Sequence, residues 1–243
     1  MNGYIDCHCH ISSGDFDQDL EEVIESSKKA GLLAILAVAE HCGEFEKIIE
    51  LSKRFPGFIF PCLGVHPVQE VSPEKQRGAT PQDLDAALPI IEKYKDQLVA
   101  IGEIGLDFTP RFVSGHDDKD KQRQVLIRQV EIAKQLDLPV NVHSRSAGRP
   151  TIHLLKELGV ERALLHAFDG KPSVALEGVK AGYFFSIPPS IIRSEQVRNE
   201  PQNIRVSAEF VAKVKGVSLE RVMEATTQNA LRLFPKLKTA IRL

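Results

Sequence analysis

At 243 residues, 42% apolar and 26% charged, the chain has enough material for a large core and the composition of an ordinary soluble protein. A formal net charge of −2 argues against a strongly basic nucleic-acid or anionic-membrane binder, while leaving room for a local basic patch. No run is apolar and long enough to span a bilayer, and the N-terminus lacks a signal-peptide core. The four cysteines, Cys7, Cys9, Cys42 and Cys62, have no CxxC spacing and fit a reducing compartment, so cytosol or nucleus is expected.

Strand and helix patterns alternate along the chain. The first strand, Tyr4-Ile5-Asp6-Cys7-His8-Cys9-His10, should place His8 and His10 on one face, with Cys7 and Cys9 as buried thiols on the other. Asp17 can cap a helix with the apolar face Leu20, Val23, Ile24 and Ser27, stopped at Gly31. Leu32 to Val38 is a continuous apolar run, as in a strand buried on both faces. A second helix carries Phe45, Ile48, Ile49 and Ser52 and ends at Pro56-Gly57; the third strand, 58–64, leads into Val65-His66-Pro67. Thr80-Pro81-Gln82-Asp83 is a helix start. Strand four, 98–103, runs into Ile104-Gly105-Leu106-Asp107-Phe108, and a long helix passes through Val125, Ile132, Ala133 and Leu136. Strands five (138–142) and six (163–165) lead to His143 and His166, with a helix over 151–158 between them. A helix at 172–181, strand seven at 183–187 and helices at 204–215 and 219–234, the last capped by Ser218, complete the pattern.

Such alternation implies an α/β fold with a parallel sheet. An open doubly wound sheet is one solution, but no Gly-rich phosphate loop follows the first strand. The other is a TIM-type (β/α) barrel of 1–243 as one domain, whose chemistry gathers at the C-terminal ends of the strands. That is where His8, His10, His66, Glu103, His143 and His166 fall. Imidazoles and a carboxylate suit zinc, manganese or another first-row ion better than calcium. These residues outnumber the three or four ligands of one zinc and imply two divalent ions bridged by the carboxylate.

The segments Ile5-Asp6-Cys7-His8-Cys9-His10, Gly64-Val65-His66-Pro67, Ala100 to Phe108, Val142-His143-Ser144-Arg145, His166-Ala167-Phe168 and Arg198-Asn199-Glu200-Pro201 resemble the TatD family of metal-dependent deoxyribonucleases. They occur in family order over nearly the whole chain. The resemblance implies two divalent ions (Mg, Mn or Zn): His8 and His10 on one, His143 and His166 on the other, and Glu103 bridging. It places His66 and Arg145 at the scissile phosphate, makes Glu103 and His66 the catalytic pair, and leaves Asp107 a supporting role. The implied activity is DNA hydrolysis, as 3′–5′ exonuclease or at abasic sites. DNA would be met through its phosphates, with Arg145, Arg149, Lys171, Arg193 and Arg198 expected at the rim. No aromatic platform for single strands is evident in a chain with no Trp and three Tyr.

One departure stands out. The family pattern carries a further strand ending in Glu-Thr-Asp, whose Asp completes the first metal site and takes the proton of the attacking water. Here strand seven runs through Ser194 directly into Glu195-Gln196-Val197-Arg198, as if one strand–helix unit were excised by alternative splicing or deletion; a transcript with an intact longer reading frame across Ser194–Glu195 would refute this. Neither Glu195 nor Glu200 is placed to substitute. The barrel should then be one strand short, its first and seventh strands facing across a gap, with low solubility, one ion held firmly and the His8–His10 ion weakly. A non-catalytic metal-binding form and a small-molecule amidohydrolase are the competing readings. The latter favours a carboxylated lysine where this chain has Glu103.

Overall fold

The computed structural model describes residues 2–192 and 197–241; Arg193 and the Ser194–Glu195 junction lie outside the described residues. Seven strands form one parallel sheet curled into a nearly closed barrel: β1 (Tyr4–Cys9), β2 (Leu32–Val38), β3 (Ile59–Leu63), then, past a hairpin of β4 (Val68–Ser72) and β5 (Lys75–Gly78), β6 (Ala100–Gly105), β7 (Val140–His143), β8 (Ala163–His166) and β9 (Phe184–Ser186). The order is β1-β2-β3-β6-β7-β8-β9, with registers such as Leu36↔Phe60 and Val142↔Leu165. The helices α1 (Leu20–Lys29), α2 (Phe45–Arg54), α3 (Asp83–Tyr94), α4 (His116–Gln135), α5 (Gly148–Glu157) and α6 (Pro172–Lys180) are the crossovers. Three more, α7 (Ile204–Lys215), α8 (Leu219–Leu233) and α9 (Leu237–Ala240), follow β9.

The strand alternation divides the core in two. Ile35, Ala37, Ile59, Ile101 and Leu165 face outward onto Ile24, Ile48, Ile91 and Val130 of the helices. Leu36, Val38, Phe60, Ala100 and Leu164 fill the barrel interior, where Leu233, Phe234, Leu237 and Ile241 join them. These C-terminal side chains plug the end opposite the strand C-termini: Thr227 Oγ1 donates to Gly3 O at 2.6 Å, and Lys236 Nζ donates to Leu98 O at 2.8 Å. With the far end sealed by apolar groups, the polar strand ends open to one side only.

Several local expectations are corrected. Asp17 does not cap α1: a short turn at Gly14–Phe16 intervenes, Asp19 occupies the N-cap, and Asp17 pairs with Lys47 at 2.6 Å. The helix start at Thr80–Asp83 holds with a small shift: regular α3 begins at Asp83, two residues after Pro81, and the Asp83 carboxylate accepts from the Thr80 N–H and from Arg77. Cys7 and Cys9 do not share a face: the β1–β2 register slips between Asp6 and Cys9, so Cys7 meets the barrel interior and Cys9 the outer core. Ser218 caps α8 as read, accepting from the Arg221 N–H at 3.2 Å.

Candidate metal centre

Glu103, on β6 and only 2% exposed, is the hub. Around its carboxylate stand His8 Nε2 at 3.3 Å and His10 Nε2 at 3.2 Å from Oε2, with His143 Nδ1 at 3.0 Å and His66 Nε2 at 3.6 Å from Oε1. Four imidazoles on three further elements thus converge on the two oxygens of one residue. Two glycines make room for the hub. A Cβ on Gly102 would lie 2.6 Å from Asn141 Cβ, and one on Gly105, at φ +148°, would lie 1.9 Å from His143 O.

Two buried glutamines of α4 set the loops that carry the site. Gln129 takes the Val65 N–H at 2.7 Å and donates to Val65 O at 3.0 Å, which fixes the turn just before His66. Gln122 does the same to Asp107, at 2.8 Å in both directions. Asp107 in turn accepts from His143 Nε2 at 2.8 Å, so His143 lies between two carboxylates. This carboxylate–histidine pairing orients a ligand imidazole and raises its basicity.

The tautomers follow from the second nitrogens. His8 Nδ1 lies 2.7 Å from Asn141 Oδ1, and Asn141 Nδ2 donates to Cys7 O at 2.8 Å, so the amide can only accept from His8. The proton therefore sits on Nδ1, and Nε2 turns its lone pair toward Glu103. His66 Nδ1 contacts both the Val68 N–H, at 2.9 Å, and Val68 O, at 3.1 Å, so the ring can present either an Nε2–H or a lone pair to the centre.

Burial opposes charge throughout, and the cluster overrides it selectively. Burial would raise the Glu103 carboxyl, yet the imidazoles, His8 and His66 foremost, hold it well below the usual range. His10, which burial would lower, is pushed up to about 9 by Glu103, Glu40 and Glu44, and His143 to about 9 by Asp107 and Glu103. Burial dominates at His66, lowered to about 4, and at His166, held well below its ordinary value with help from His8. Asp107 is brought to about 2 because its bonds from His143 and Thr109 outweigh burial.

A cation fits this arrangement. His8 Nε2 and Glu103 Oε2 are buried and face each other without an aligned hydrogen bond. Two ligand sets form on opposite oxygens of the hub, His8–His10–Glu103 and His66–Glu103–His143. Nitrogen and carboxylate donors in this mixture suit a first-row divalent ion.

All five expected ligands lie at the rim, with two differences in grouping. His166 is not beside His143. Its ring stacks on His8, centroids 3.4 Å apart and planes 1° from parallel, and its Nδ1 contacts Ser186 Oγ at 3.2 Å. His66 instead takes the place next to His143, 3.3 Å from its Nδ1. Arg145 is exposed, and its backbone carbonyl accepts from the Phe108 N–H. Arg198 is occupied, forked onto Asp19 and Glu200 at 2.6–2.9 Å and lying over the Phe16 ring. Asn141 and Glu40 went unread in the sequence. Asn141 sits inside an apolar strand with no motif of its own, and Glu40, whose charge acts on His10, follows β2 as the site's histidines follow their strands, a signal that positional logic contained.

A parallel barrel with imidazoles and a shared carboxylate at its strand ends defines a metal-dependent hydrolase. Residues 5–198 match the TatD related DNase family. The human protein named deoxyribonuclease TATDN3 is 62% identical over 263 residues, covering 97% of this chain and 96% of its own. A Bacillus subtilis metal-dependent hydrolase, YabD, is 29% identical over 265 residues, covering 94% of this chain and 98% of its own. Among solved structures, the Escherichia coli TatD homologue YjjV superimposes with a TM-score of 0.79 at 23% identity, over 96% of this chain and 98% of its own. A TatD family hydrolase from Entamoeba histolytica gives 0.77 at 21% identity, over 96% and 98%. The chain belongs to the TatD related DNase family and is an enzyme of the metal-dependent hydrolase class that binds divalent metal.

Proposed function

We propose that the chain hydrolyses DNA phosphodiester bonds, removing nucleotides from 3′ ends or cutting at abasic sites. The observation that carries this reading is the convergence of His8, His10, His66 and His143 on the two oxygens of Glu103. His8, His10 and Glu103 would hold one ion, and Glu103 and His143 a second, with Glu103 bridging. To serve that second ion His166 must leave its stack on His8. Bound divalent ions acidify a water and neutralise charge on a phosphate in flight.

The protein's own groups do the rest. His66, kept neutral by burial, offers its Nε2–H to a phosphate oxygen. Asp107 keeps the proton on His143 Nε2 and leaves Nδ1 for the centre. A cleft of about 450 Å³ bordered by His8, His10, His166, Ser13 and Pro188 has the volume for a nucleotide end. Arg145, Arg149 and Lys171 at the rim would meet backbone phosphates without reading bases. The His8–His10 half is the one that, by the family pattern, takes a further Asp, so its ion would be held less firmly here and turnover lowered. All four cysteines are free thiols, which fits the reducing cytosol or nucleus.

The test is cleavage of end-labelled and abasic-site duplexes with manganese or magnesium, by the wild type and by Glu103→Gln prepared identically. Loss of cleavage in the variant supports the reading. Equal cleavage by both would trace the activity to a contaminant, and metal binding without any cleavage would leave a non-catalytic metal protein.

A further inference from the structure

The barrel has a seam. Among the described residues β1 pairs only with β2 and β9 only with β8, so two parallel edges end the sheet without meeting. The burial of the strands records the same break: β2, β3, β6 and β7 are buried almost throughout, while most of β1 and all of β9 are half-buried. Between the edges lies a cavity of about 300 Å³, walled by Tyr4 to His8 on one side, Phe184 to Ser186 on the other, and Ser207, Val211 and Thr226 behind. Ser207 Oγ is buried there without a partner.

The helix layer is open at the same place. α6 packs Val174 and Gly178 inward, yet carries a second apolar pair, Leu176 and Val179, exposed at 57% and 54%. Ile187, Ile191 and Ile192 beyond β9 are exposed as well. Unpaired parallel edges with an apolar stripe beside them have the form of a missing strand followed by a missing helix. The human relative gives the length of the deficit a physical source. Its alignment runs over 263 residues, more than the 243 of this chain, so it carries residues inside the aligned span that this chain lacks.

We propose that the β1–β9 seam is a docking site for a polypeptide segment supplied by another chain: an extended apolar strand parallel to both edges, continued by an amphipathic helix that covers Leu176 and Val179. Main-chain hydrogen bonds to two edges at once give the affinity, and the cavity selects the side chains, as in strand addition to an open sheet. One edge alone would accept many partners; two facing edges accept one strand of fixed direction. The site adjoins the metal centre, since His8 on β1 and His166 on β8 both line the cavity.

The probe is a synthetic peptide with the residues that the human relative has inside the aligned span and this chain lacks, with a scrambled peptide as control. Binding is read by fluorescence anisotropy and by amide hydrogen exchange, both without metal, so that failure leaves the nuclease reading untouched. The expected result is saturable binding of the native-order peptide alone, with slowed exchange at Tyr4–Cys9 and Phe184–Ser186 and none gained in β3 or β6. Leu176→Asp with Val179→Asp, on an exposed face that the fold does not use, should weaken binding by at least about tenfold. No binding, equal binding of the scrambled peptide, or binding without slowed exchange at both edges would overturn the proposal. So would edges already protected in a self-associated free chain, which would make the occupant a second copy.

Discussion

His8 and Asn141 are 133 positions apart in the chain and meet at 2.7 Å, imidazole Nδ1 against amide Oδ1. The amide is itself held by Cys7 O, so the contact passes orientation from the backbone of β1 through β7 and back to the ring. Replacing Asn141 by Leu removes the acceptor and leaves Cys7 O without its donor. Metal affinity should fall about 10–100-fold, the usual effect of losing such a supporting contact, and stability by about 1–3 kcal/mol. Asn141→Asp keeps an acceptor for Nδ1–H and should retain more of the affinity. Calorimetric metal titration beside a thermal melt separates the two effects. Unchanged affinity in Asn141→Leu would mean that His8 needs no such anchor.

His66 and His143 touch each other at the centre, but they should fail differently. His143 is locked between Glu103 and Asp107, so His143→Ala removes a proposed ligand and takes from Asp107 its only imidazole partner. It should lose metal and activity together. His66 is held by Val68 through Nδ1, with Nε2 turned toward His143 and Glu103, and it is the group proposed to meet the phosphate. His66→Ala should keep its metal content and lose about 10²–10⁴ in kcat, the range for a positioned proton donor. Metal analysis of both purified variants, paired with turnover, decides the matter. Loss of an ion from His66→Ala would make His66 a ligand.

The strands and their polar ends were legible because buried strands are apolar runs that stop at a His or Glu, as Ala163 to Leu165 stops at His166. Parallel topology then brings those ends to one rim without further information. What escaped depends on contacts rather than on pattern. The β4–β5 hairpin is short, mostly exposed and charged, so Val68 to Gly78 lacks the alternation of a half-buried ribbon. The stacking of His166 on His8 depends on ring rotation at the seam, which no spacing encodes. Asn141 reads as an interruption of Val140 and Val142 until the ring opposite it is known.

Gln122 and Gln129, seven residues apart on one face of α4, each clasp both backbone groups of a single loop residue. Both are fully buried, so neither loop can trade these bonds for water. Gln129→Met keeps the volume but orphans the Val65 N–H and C=O, at about 1–3 kcal/mol for each group. Gln122→Met does the same to Asp107 and, through it, loosens His143. Both variants should unfold at lower urea, while Gln122→Met alone should also weaken metal binding. Equal effects on metal binding would show that the two clasps only stabilise the fold.

Arg77 and Asp83 supply a pH dependence away from the centre. Arg77 forks onto the Asp83 carboxylate at 2.8 Å through both nitrogens, and Thr80 N–H donates to it at 2.7 Å. Burial pushes the carboxyl up, but these donors prevail and the folded value lies below the ordinary 3.8. A lowered folded value means that the pair stabilises fully above 3.8, and that this stability drains away as pH falls through the folded value. Asp83→Asn keeps an acceptor for Thr80 and removes only the charge. With Arg77 half in water, the loss at neutral pH should be at most about 1 kcal/mol, or about 2–4 °C in Tm. In strong acid, where the wild-type carboxyl is protonated, the two proteins should melt together. A gap that persists or widens there would assign the stability to something other than the ion pair.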